Sequence, residues 1–181
     1  VTGFQNGPPV TPDEVTRDFA DQVYRQLKRT FGPGADVDDL FQNVFIEVLR
    51  SLPSWSGRAR LGAWIRRVTA NVAYQEMRLS YRRPKEVEYE EELEASHDDP
   101  ERSLRAGELY RALETLPPKL RIVLVLYDVE GQTMKEIGAV LGRPLPTIQS
   151  QLKAARTKLA EALLDTGSES KAHTEDAEGR R

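Results

Sequence analysis

The chain has 181 residues, of which 39% are hydrophobic and 30% are charged, and its formal net charge is −3. It contains no cysteine, which excludes disulfides, thiolate metal sites and cysteine nucleophiles. No stretch reaches the ~20 apolar residues of a membrane span, and Val1 to Pro12 lack the basic start and apolar core of a secretory signal. This length suits one ordinary domain or two small ones.

Three apolar stripes predict a compact three-helix unit over residues 12–83, after a disordered N-terminus over 1–11. Gly32-Pro33-Gly34 ends the first helix and Pro53 ends the second. Strand-type alternation is absent, so the predicted class is all-α. Apolar residues recur every three or four positions in each stripe: Val15, Phe19, Val23 and Leu27; then Leu40, Val44, Val48 and Leu52; then Leu61, Ile65, Val68 and Val72.

The third of these helices carries arginines interleaved with aromatic residues. Seven arginines between positions 57 and 83 are accompanied by one acid, Glu76. Aromatic faces can stack unpaired bases at about 1–3 kcal/mol each, and arginines can follow the nucleic-acid backbone. Two turns after Trp64, the amide of Asn71 can bond a base edge. The alternative, which the pattern leaves open, is that Trp55 and Trp64 belong to the core and that the arginines are solvated.

A strongly acidic stretch follows and reverses this charge. Nine acids against a single lysine occur between positions 85 and 101, with Pro84 and Pro100 at its ends. Few apolar residues lie there, so the stretch cannot bury enough surface to fold independently. It predicts a flexible acidic linker over residues 84–101.

The next stretch, residues 102–165, predicts a second helical unit that ends in a helix-turn-helix. Thr133 and Glu136 have the spacing of a capping box, which starts a helix. Gly142 ends that helix, the small Ala139 permits close crossing by the next one, and a new helix begins near Thr147. The apolar positions are Leu109, Leu113, Leu116, Leu120, Val123, Leu124, Tyr127, Ile137, Val140, Leu141, Ile148, Leu152, Ala155, Leu159 and Leu163.

The outer face of the last helix predicts binding to duplex DNA. Amides and hydroxyls can bond base edges in the major groove, and cations can hold phosphates. No acid occurs between positions 142 and 158, whereas a merely solvated helix, which is the alternative, normally mixes both signs. The polar side chains on this face are Gln149, Ser150, Gln151, Lys153, Arg156 and Lys158. Residues 166–181 are polar and are predicted to be disordered.

These motifs, in this order, resemble those of sigma-70 family RNA polymerase sigma factors, and the two-domain form resembles the extracytoplasmic-function (ECF) subgroup. The run from Asp38 to Phe45 is similar to the family's acid-acid-Leu-x-Gln-x-x-Phe segment. The run from Leu61 to Asn71 resembles the promoter-melting segment, and the run from Leu116 to Ser150 resembles the helix-turn-helix domain. The resemblance implies a region 2-like three-helix unit and a region 4-like helix-turn-helix unit.

The resemblance also implies three sets of binding residues. Those for the clamp of core polymerase are Asp38, Asp39, Leu40, Gln42, Asn43 and Phe45. Those for the minus-ten element are Trp55, Arg58, Arg60, Trp64, Arg66, Arg67 and Asn71, with a flipped base held by the loop 54–61. Those for the minus-thirty-five element are Arg143, Thr147, Gln149, Ser150, Gln151, Lys153 and Arg156.

The recognition helix departs from the family pattern at three positions. Gln149 and Gln151 stand where cations are usual, and Ala154 stands where an arginine is common. A bidentate arginine–guanine contact is worth about 1–3 kcal/mol of discrimination. The sequence therefore predicts weaker or altered reading of the minus-thirty-five element, which saturation mutagenesis of that element tests.

As partners the resemblance implies core RNA polymerase (the beta and beta-prime subunits), promoter DNA and a cognate anti-sigma factor. It implies a cytoplasmic protein that lies at the nucleoid when active or is held at the membrane by the anti-sigma factor, without inserting directly. No cofactor, metal or enzymatic activity is expected, since His97 and His173 fall in the predicted linker and tail. Two alternatives remain open: a stand-alone helix-turn-helix regulator, which would not copurify with core polymerase, and a helical adaptor, which would lack salt-sensitive DNA affinity.

Overall fold

A computed structural model describes residues 11–57, 60–82 and 100–178 of the chain. Every regular element within those ranges is helical, which confirms the predicted all-α class. In chain order the elements are α1 (Pro12–Phe31), α2 (Asp38–Ser51), a short 3-10 turn (Leu52–Ser54), α3 (Leu61–Arg82), α4 (Pro100–Thr115), α5 (Pro118–Leu124), a π turn (Val125–Val129), α6 (Met134–Leu141) and α7 (Leu145–Glu178).

Helices α1, α2 and α3 pack around one another and form the first helical unit. Thr11 caps the start of α1 in a reciprocal capping box with Glu14, and Gly32, at φ 119°, ends that helix. The predicted apolar stripes are the ones that meet in the core, which confirms the three-helix prediction. Its fully buried side chains include Val15, Val23, Leu27, Val44, Val48 and Ile65.

Helices α4 to α7 form the second helical unit, whose core is mostly aliphatic. Leu113, Ile122, Leu126, Ile137 and Ile148 are each at most 2% exposed. Between α5 and α6 the chain makes one π turn, which the sequence did not predict. Such turns are rare and occur often at functional sites, and this one leads directly into Glu130.

The two units are in contact with each other. Ala70 and Met77 of α3 are buried in the same cluster as the core of the second unit, and Phe31 and Tyr74 pack against that cluster. Sequence reasoning placed the domain boundary at an acidic linker and made no prediction about a contact between the two units. The linker itself lies outside the described residues up to position 99, and α4 begins at Pro100.

The C-terminal segment differs from its prediction. The sequence predicts disorder over 166–181, whereas α7 continues to Glu178. No proline follows Pro146, and the single Gly167 costs a helix only about 1 kcal/mol relative to alanine. Residues 179–181 lie outside the described part of the chain, as do residues 1–10 of the predicted disordered segment 1–11. None of the described helices combines the length and the apolarity needed to cross a membrane.

Candidate nucleic-acid and polymerase interface

The exposed face of α2 carries most of the residues predicted to contact the polymerase clamp. Asp38, Asp39, Gln42 and Asn43 are all exposed. The two acids lie in the first turn, where they complement the helix dipole. The backbone N–H of Asp38 also donates to Oδ1 of Asp36 at 3.1 Å, so the start of this helix is held locally.

Two of the predicted clamp residues are placed differently from the prediction. Leu40 and Phe45 are only 9% and 7% exposed, because they point into the core of the first unit. They support the helix rather than present themselves to a partner. Sequence reasoning missed Ile46, which is 63% exposed and lies one turn after Gln42 on the same face as Asp39 and Asn43.

Four residues of the minus-ten set lie on α3, namely Trp64, Arg66, Arg67 and Asn71, and Arg60 directly precedes this helix. Arg60, Arg66, Arg67 and Asn71 are exposed. Trp64 is half-buried and packs against the first unit's core. Part of its ring therefore belongs to the core, as one interpretation of the sequence had it, and the rest stays accessible to a base, as the other had it. The structure also leaves Trp55 half-buried, and Arg58 lies outside the described residues.

Two glutamines of α1 hold the start of α3 in place. The amide of Gln22 donates to the carbonyl of Gly62 at 3.1 Å, and the amide of Gln26 donates to that of Arg66 at 3.2 Å. Gln26 is 1% exposed, and a buried hydrogen bond of this kind fixes one helix relative to another. The basic face of α3 is therefore positioned by α1.

The helix-turn-helix begins where the sequence predicted. The hydroxyl of Thr133 accepts from the N–H of Glu136 at 3.3 Å, and Glu136 accepts from the backbone N–H and the hydroxyl of Thr133 at 2.8 and 2.7 Å. This reciprocal arrangement is the predicted capping box. The hydrogen bonds from the Thr133 side chain and backbone lower the pKa of Glu136 below its ordinary value.

The turn of this motif is closed by two glycines. Gly142 ends α6 in the left-handed conformation, at φ 64°, and the N–H of Arg143 returns to the carbonyl of Gly138 at 2.9 Å. A Cβ at Gly138 would lie 2.8 Å from the Arg143 carbonyl oxygen. Gly138 is thus the residue at which the backbone of the turn comes close to α6. The prediction that Ala139 permits the close crossing is wrong, because Ala139 is exposed.

The recognition face of α7 is exposed as predicted for most of its members. Gln149, Ser150 and Lys153 are exposed, while Thr147 and Gln151 are half-buried. The opposite face, with Ile148, Leu152 and Ala155, is buried against the second unit. One side of the helix therefore anchors it and the other offers polar groups to a ligand.

Two predicted phosphate-binding arginines already have partners within the chain. Arg156 contacts the carboxylate of Asp128 through Nε at 3.1 Å and Nη2 at 2.5 Å, over the ring of Tyr127. Arg143 donates to Oε1 of Gln151 at 2.9 Å and to the hydroxyl of Tyr74 at 2.8 Å. Sequence reasoning missed both partnerships, because Asp128 and Tyr74 are distant along the chain.

We expect Thr133→Ala to destabilise the second unit by about 1 kcal/mol, because the first turn of α6 loses its cap. Urea denaturation followed by circular dichroism measures the loss. Thr157→Ala is the matched control, since that exposed hydroxyl only donates to the carbonyl of Lys153 within α7. Equal destabilisation by both variants would contradict the assigned role of the cap.

The capping box of Thr133 and Glu136 also makes the stability of the second unit depend on pH. Because the folded state lowers the pKa of Glu136, the cap's contribution to stability is present above the ordinary carboxyl pKa and is lost as the pH falls through the lower folded value. The stability difference between the wild type and Thr133→Ala should therefore shrink on acidification. Denaturation curves between neutral pH and about pH 3 measure it, and a difference independent of pH would contradict the prediction.

Known protein families match most of the described chain. The model of Sigma-70 region 2 matches residues 15–83, and that of Sigma-70, region 4 matches residues 106–159. The ECF RNA polymerase sigma factor SigE of Mycolicibacterium smegmatis is 36% identical over 174 residues, covering 93% of this chain and 67% of that protein. The ECF RNA polymerase sigma-E factor of Escherichia coli K12 is 29% identical over 144 residues, which cover 72% of this chain and 75% of that protein.

Solved structures show a similar fold. RpoE of Bartonella quintana, in complex with the anti-sigma factor NepR, aligns with TM-score 0.59 and 22% identity over 83% of this chain and 95% of its own. CnrH, in complex with the cytosolic domain of CnrY, aligns with TM-score 0.58 and 22% identity over 86% of this chain and 88% of its own. At 22% identity, the similarity to these two structures supports the fold and no more.

Proposed function

Because the chain belongs to the ECF family of RNA polymerase sigma factors, we propose that its three exposed helical faces divide the work of promoter-directed initiation. The face of α2 binds core polymerase, the basic face of α3 opens the minus-ten element, and α7 reads the minus-thirty-five element. The observation that carries this proposal is that each matched family region presents a polar face to solvent while its opposite face is buried.

The polymerase contact is assigned to Asp39, Gln42, Asn43 and Ile46. These four residues occupy positions i, i+3, i+4 and i+7 of α2, so they lie on one face. They combine a charge, two amides and one exposed aliphatic side chain. Protein–protein interfaces usually combine apolar and polar side chains in this way.

The minus-ten contact is assigned to Arg60, Arg66, Arg67 and Asn71, with Trp64 at its buried edge. Arginines neutralise phosphates, and the amide can bond the edge of an unpaired base. The half-buried Trp64 supports this surface from beneath and offers only part of its ring to a base. The contact is one of binding, and no reaction is assigned to the chain.

The minus-thirty-five contact is assigned to Gln149, Ser150 and Lys153, with Arg143 and Arg156 beside them. In a helix-turn-helix the second helix enters the major groove and its first turns reach base edges. The neutral amides of Gln149 and Gln151 support the altered specificity that the sequence predicts. Because Arg156 is held by Asp128, it binds a phosphate from a fixed position.

A cognate anti-sigma factor is the further partner that we propose on the basis of the family. The similar RpoE was solved with an anti-sigma factor, NepR. A partner of this kind keeps the chain away from polymerase until a signal arrives, and a membrane-bound partner would place the inactive protein at the membrane. Copurification of proteins with the tagged chain from cells tests this part of the proposal, and failure to recover any partner other than polymerase would contradict it.

Run-off transcription tests the whole role. Core RNA polymerase is incubated with and without the chain on a library of promoters. New start sites that depend on the chain would establish the sigma role and define both elements. Duplex DNA binding without transcripts would instead favour the stand-alone regulator, and absence of both polymerase and DNA binding would overturn the proposal.

We expect Asn71→Ala to slow promoter opening by about ten- to 100-fold, corresponding to about 1–3 kcal/mol for one base contact. Asn71 is exposed, so the fold is expected to survive the change. Permanganate reactivity of unpaired thymines measures opening. A template already melted at the minus-ten element should restore part of the activity, and normal opening by the variant would contradict the assignment.

Gln75→Ala is the matched control for Asn71→Ala. Gln75 is an exposed amide one turn further along α3, where its Oε1 accepts from Arg78. It lies outside the proposed contact, so its loss should leave the rate of opening unchanged. Equal slowing by both variants would point to a general effect on α3 rather than to a base contact.

A further inference from the structure

The recognition helix α7 carries two glutamines whose surroundings differ. Gln149 is exposed, and within the described part of the chain its amide bonds to no other group. Gln151 is half-buried, and its Oε1 accepts from Nη1 of Arg143 at 2.9 Å. Residues two positions apart on a helix do not share a face, so the two amides point in different directions. They are therefore suited to different tasks.

Gln151 ties the turn of the helix-turn-helix to α7. Arg143 lies in that turn, directly after Gly142, and its Nη1 also donates to the carbonyl of Lys119 in α5 at 3.4 Å. The side chain of Arg143 thus joins α5, the turn and α7, and Gln151 is the acceptor that α7 supplies. To turn both ends of its amide toward a base, Gln151 would have to release Arg143.

Ser150, between the two glutamines, has its only side-chain proton engaged within the helix. Its Oγ donates to the carbonyl of Thr147 at 3.0 Å. A hydroxyl in this state can accept a hydrogen bond but has no proton left to donate. Its side chain is also shorter than that of a glutamine. Ser150 therefore has less capacity than Gln149 to distinguish one base from another.

Gln149 shares its face of α7 with two cations. Lys153 and Arg156 lie four and seven residues after it, which is the spacing of one helical face. Arg156 is held by both carboxylate oxygens of Asp128, at 3.1 and 2.5 Å. Cations can hold phosphates, and the first turns of a recognition helix reach base edges. Gln149 is thus the free amide that lies beside the phosphate-binding groups and near the start of the helix.

The chemistry of an amide favours one base. In the major groove adenine presents the N6 amino group as a donor and N7 as an acceptor, whereas guanine presents two acceptors, O6 and N7. The amide of Gln149 has one acceptor and one donor side by side, so Oε1 can accept from N6 while Nε2 donates to N7. Against guanine the amide oxygen would face another acceptor, and only the amino end would have a partner.

We propose that Gln149 determines specificity at one base pair of the minus-thirty-five element and selects adenine there through paired hydrogen bonds to N6 and N7. Gln151 is a positioning residue, which acts through Arg143 and reads no base. The inference rests on the DNA-binding role of α7 proposed above. It deepens that role because it names the base and divides the work between two residues of the same type.

Selection from a randomised pool of duplexes tests the assignment. The full chain, alone and assembled with core RNA polymerase, is incubated with duplexes that carry a randomised segment, and the bound DNA is sequenced. Wild-type chain should enrich adenine over guanine at one position by about tenfold, as expected for one bidentate contact. Gln149→Ala should lose the preference at that position and keep the rest of the selected sequence.

Two other substitutions of Gln149 should change the base selected at the same position. Gln149→Arg should select guanine, whose O6 and N7 both accept from a guanidinium. Gln149→Glu should select cytosine, whose N4 amino group donates to a carboxylate. A change confined to this one position is a readout that a merely structural role of Gln149 would not produce.

A modified base tests the paired hydrogen bonds directly. Replacing the selected adenine by 7-deazaadenine removes the N7 acceptor and leaves N6 in place. Fluorescence anisotropy should show about fivefold weaker binding of this duplex by the wild-type chain, as expected for the loss of one hydrogen bond. Gln149→Ala should bind both duplexes equally, because it has no amide to lose a partner. Equal binding of both duplexes by the wild-type chain would overturn the contact to N7.

Gln151→Ala is the matched control, since it removes the same amide two positions along the same helix. Because Arg143 loses an acceptor, affinity should fall about twofold to fivefold for every duplex alike, with the same selected sequence. Gln151→Glu keeps an acceptor for Arg143 and should also keep the selected sequence. A Gln151 that reads a base would instead switch one position to cytosine in this variant.

The outcomes separate this inference from the proposed function. A selected adenine that depends on Gln149, and is kept in both Gln151 variants, supports the assignment. A selected sequence in which no adenine depends on Gln149, or in which a Gln151 variant changes one base, overturns the assignment and leaves DNA reading by α7 standing. If no sequence is selected, with or without polymerase, DNA reading by α7 and the inference are overturned together.

Discussion

Ile46→Glu is expected to weaken binding of this chain to core RNA polymerase by at least about 30-fold, which corresponds to about 2 kcal/mol. Ile46 is 63% exposed and lies one turn after Gln42, on the same face of α2 as Asp39 and Asn43. An exposed aliphatic side chain beside polar groups is desolvated when a partner covers it. A carboxylate placed there would have to be buried without a partner, which adds to the lost apolar contact.

Surface plasmon resonance with immobilised core polymerase measures this affinity. Leu164→Glu is the matched control, because Leu164 is also an exposed aliphatic residue, at 75%, but lies on α7. The fold should survive both changes, since neither side chain is buried. Equal weakening by the two variants, or unchanged binding by Ile46→Glu, would contradict the assignment of this face to polymerase.

The α2 motif illustrates what a sequence pattern conveys and what it omits. The family-like run locates the segment, and its alternation with the core stripe predicts the exposed Gln42 and Asn43. The motif does not distinguish residues that contact a partner from residues that support the helix, and Leu40 and Phe45 are of the second kind. Helical spacing was the available signal for Ile46, which lies four residues after Gln42.

Local features of the helix-turn-helix were predictable because their partners lie a few residues apart. The capping box of Thr133 and the terminating Gly142 are of this sort, and the structure confirms both. The partners of Arg143 and Arg156 were not predictable, because Tyr74 and Asp128 lie 69 and 28 residues away. Such pairs depend on how whole helices pack, and a single sequence carries no direct signal of that packing.

Packing of the two units against each other is a feature that sequence reasoning did not predict. The acidic stretch indicated a flexible linker between two domains, and a linker of this kind carries no information about whether the domains touch. A signal was nevertheless present in α3, where Ala70, Tyr74 and Met77 form an apolar stripe that the three-helix unit does not need. A helix with two apolar faces requires two neighbours, and the second neighbour here is the other unit.

Gly138→Ala is expected to destabilise the second unit by about 1–3 kcal/mol, which is the usual cost of overpacking a tight contact. At most helical sites the same replacement of glycine by alanine has the opposite effect and stabilises the helix by up to about 1 kcal/mol. The difference arises because the new Cβ would lie 2.8 Å from the backbone oxygen of Arg143, which cannot move independently of the turn. Urea denaturation measures the change.

The same substitution should reduce affinity for minus-thirty-five duplex DNA by about tenfold, because binding groups must be held within about 0.5 Å of their working position. To relieve the contact, the turn must shift, and α7 with Gln149 and Lys153 shifts with it. Ala139→Gly is the control: Ala139 is exposed, so this change costs α6 about 1 kcal/mol of helix propensity but leaves the crossing of α6 and α7 intact. DNA affinity should therefore fall only for Gly138→Ala. If both variants are destabilised and both keep their DNA affinity, the position of α7 does not depend on Gly138.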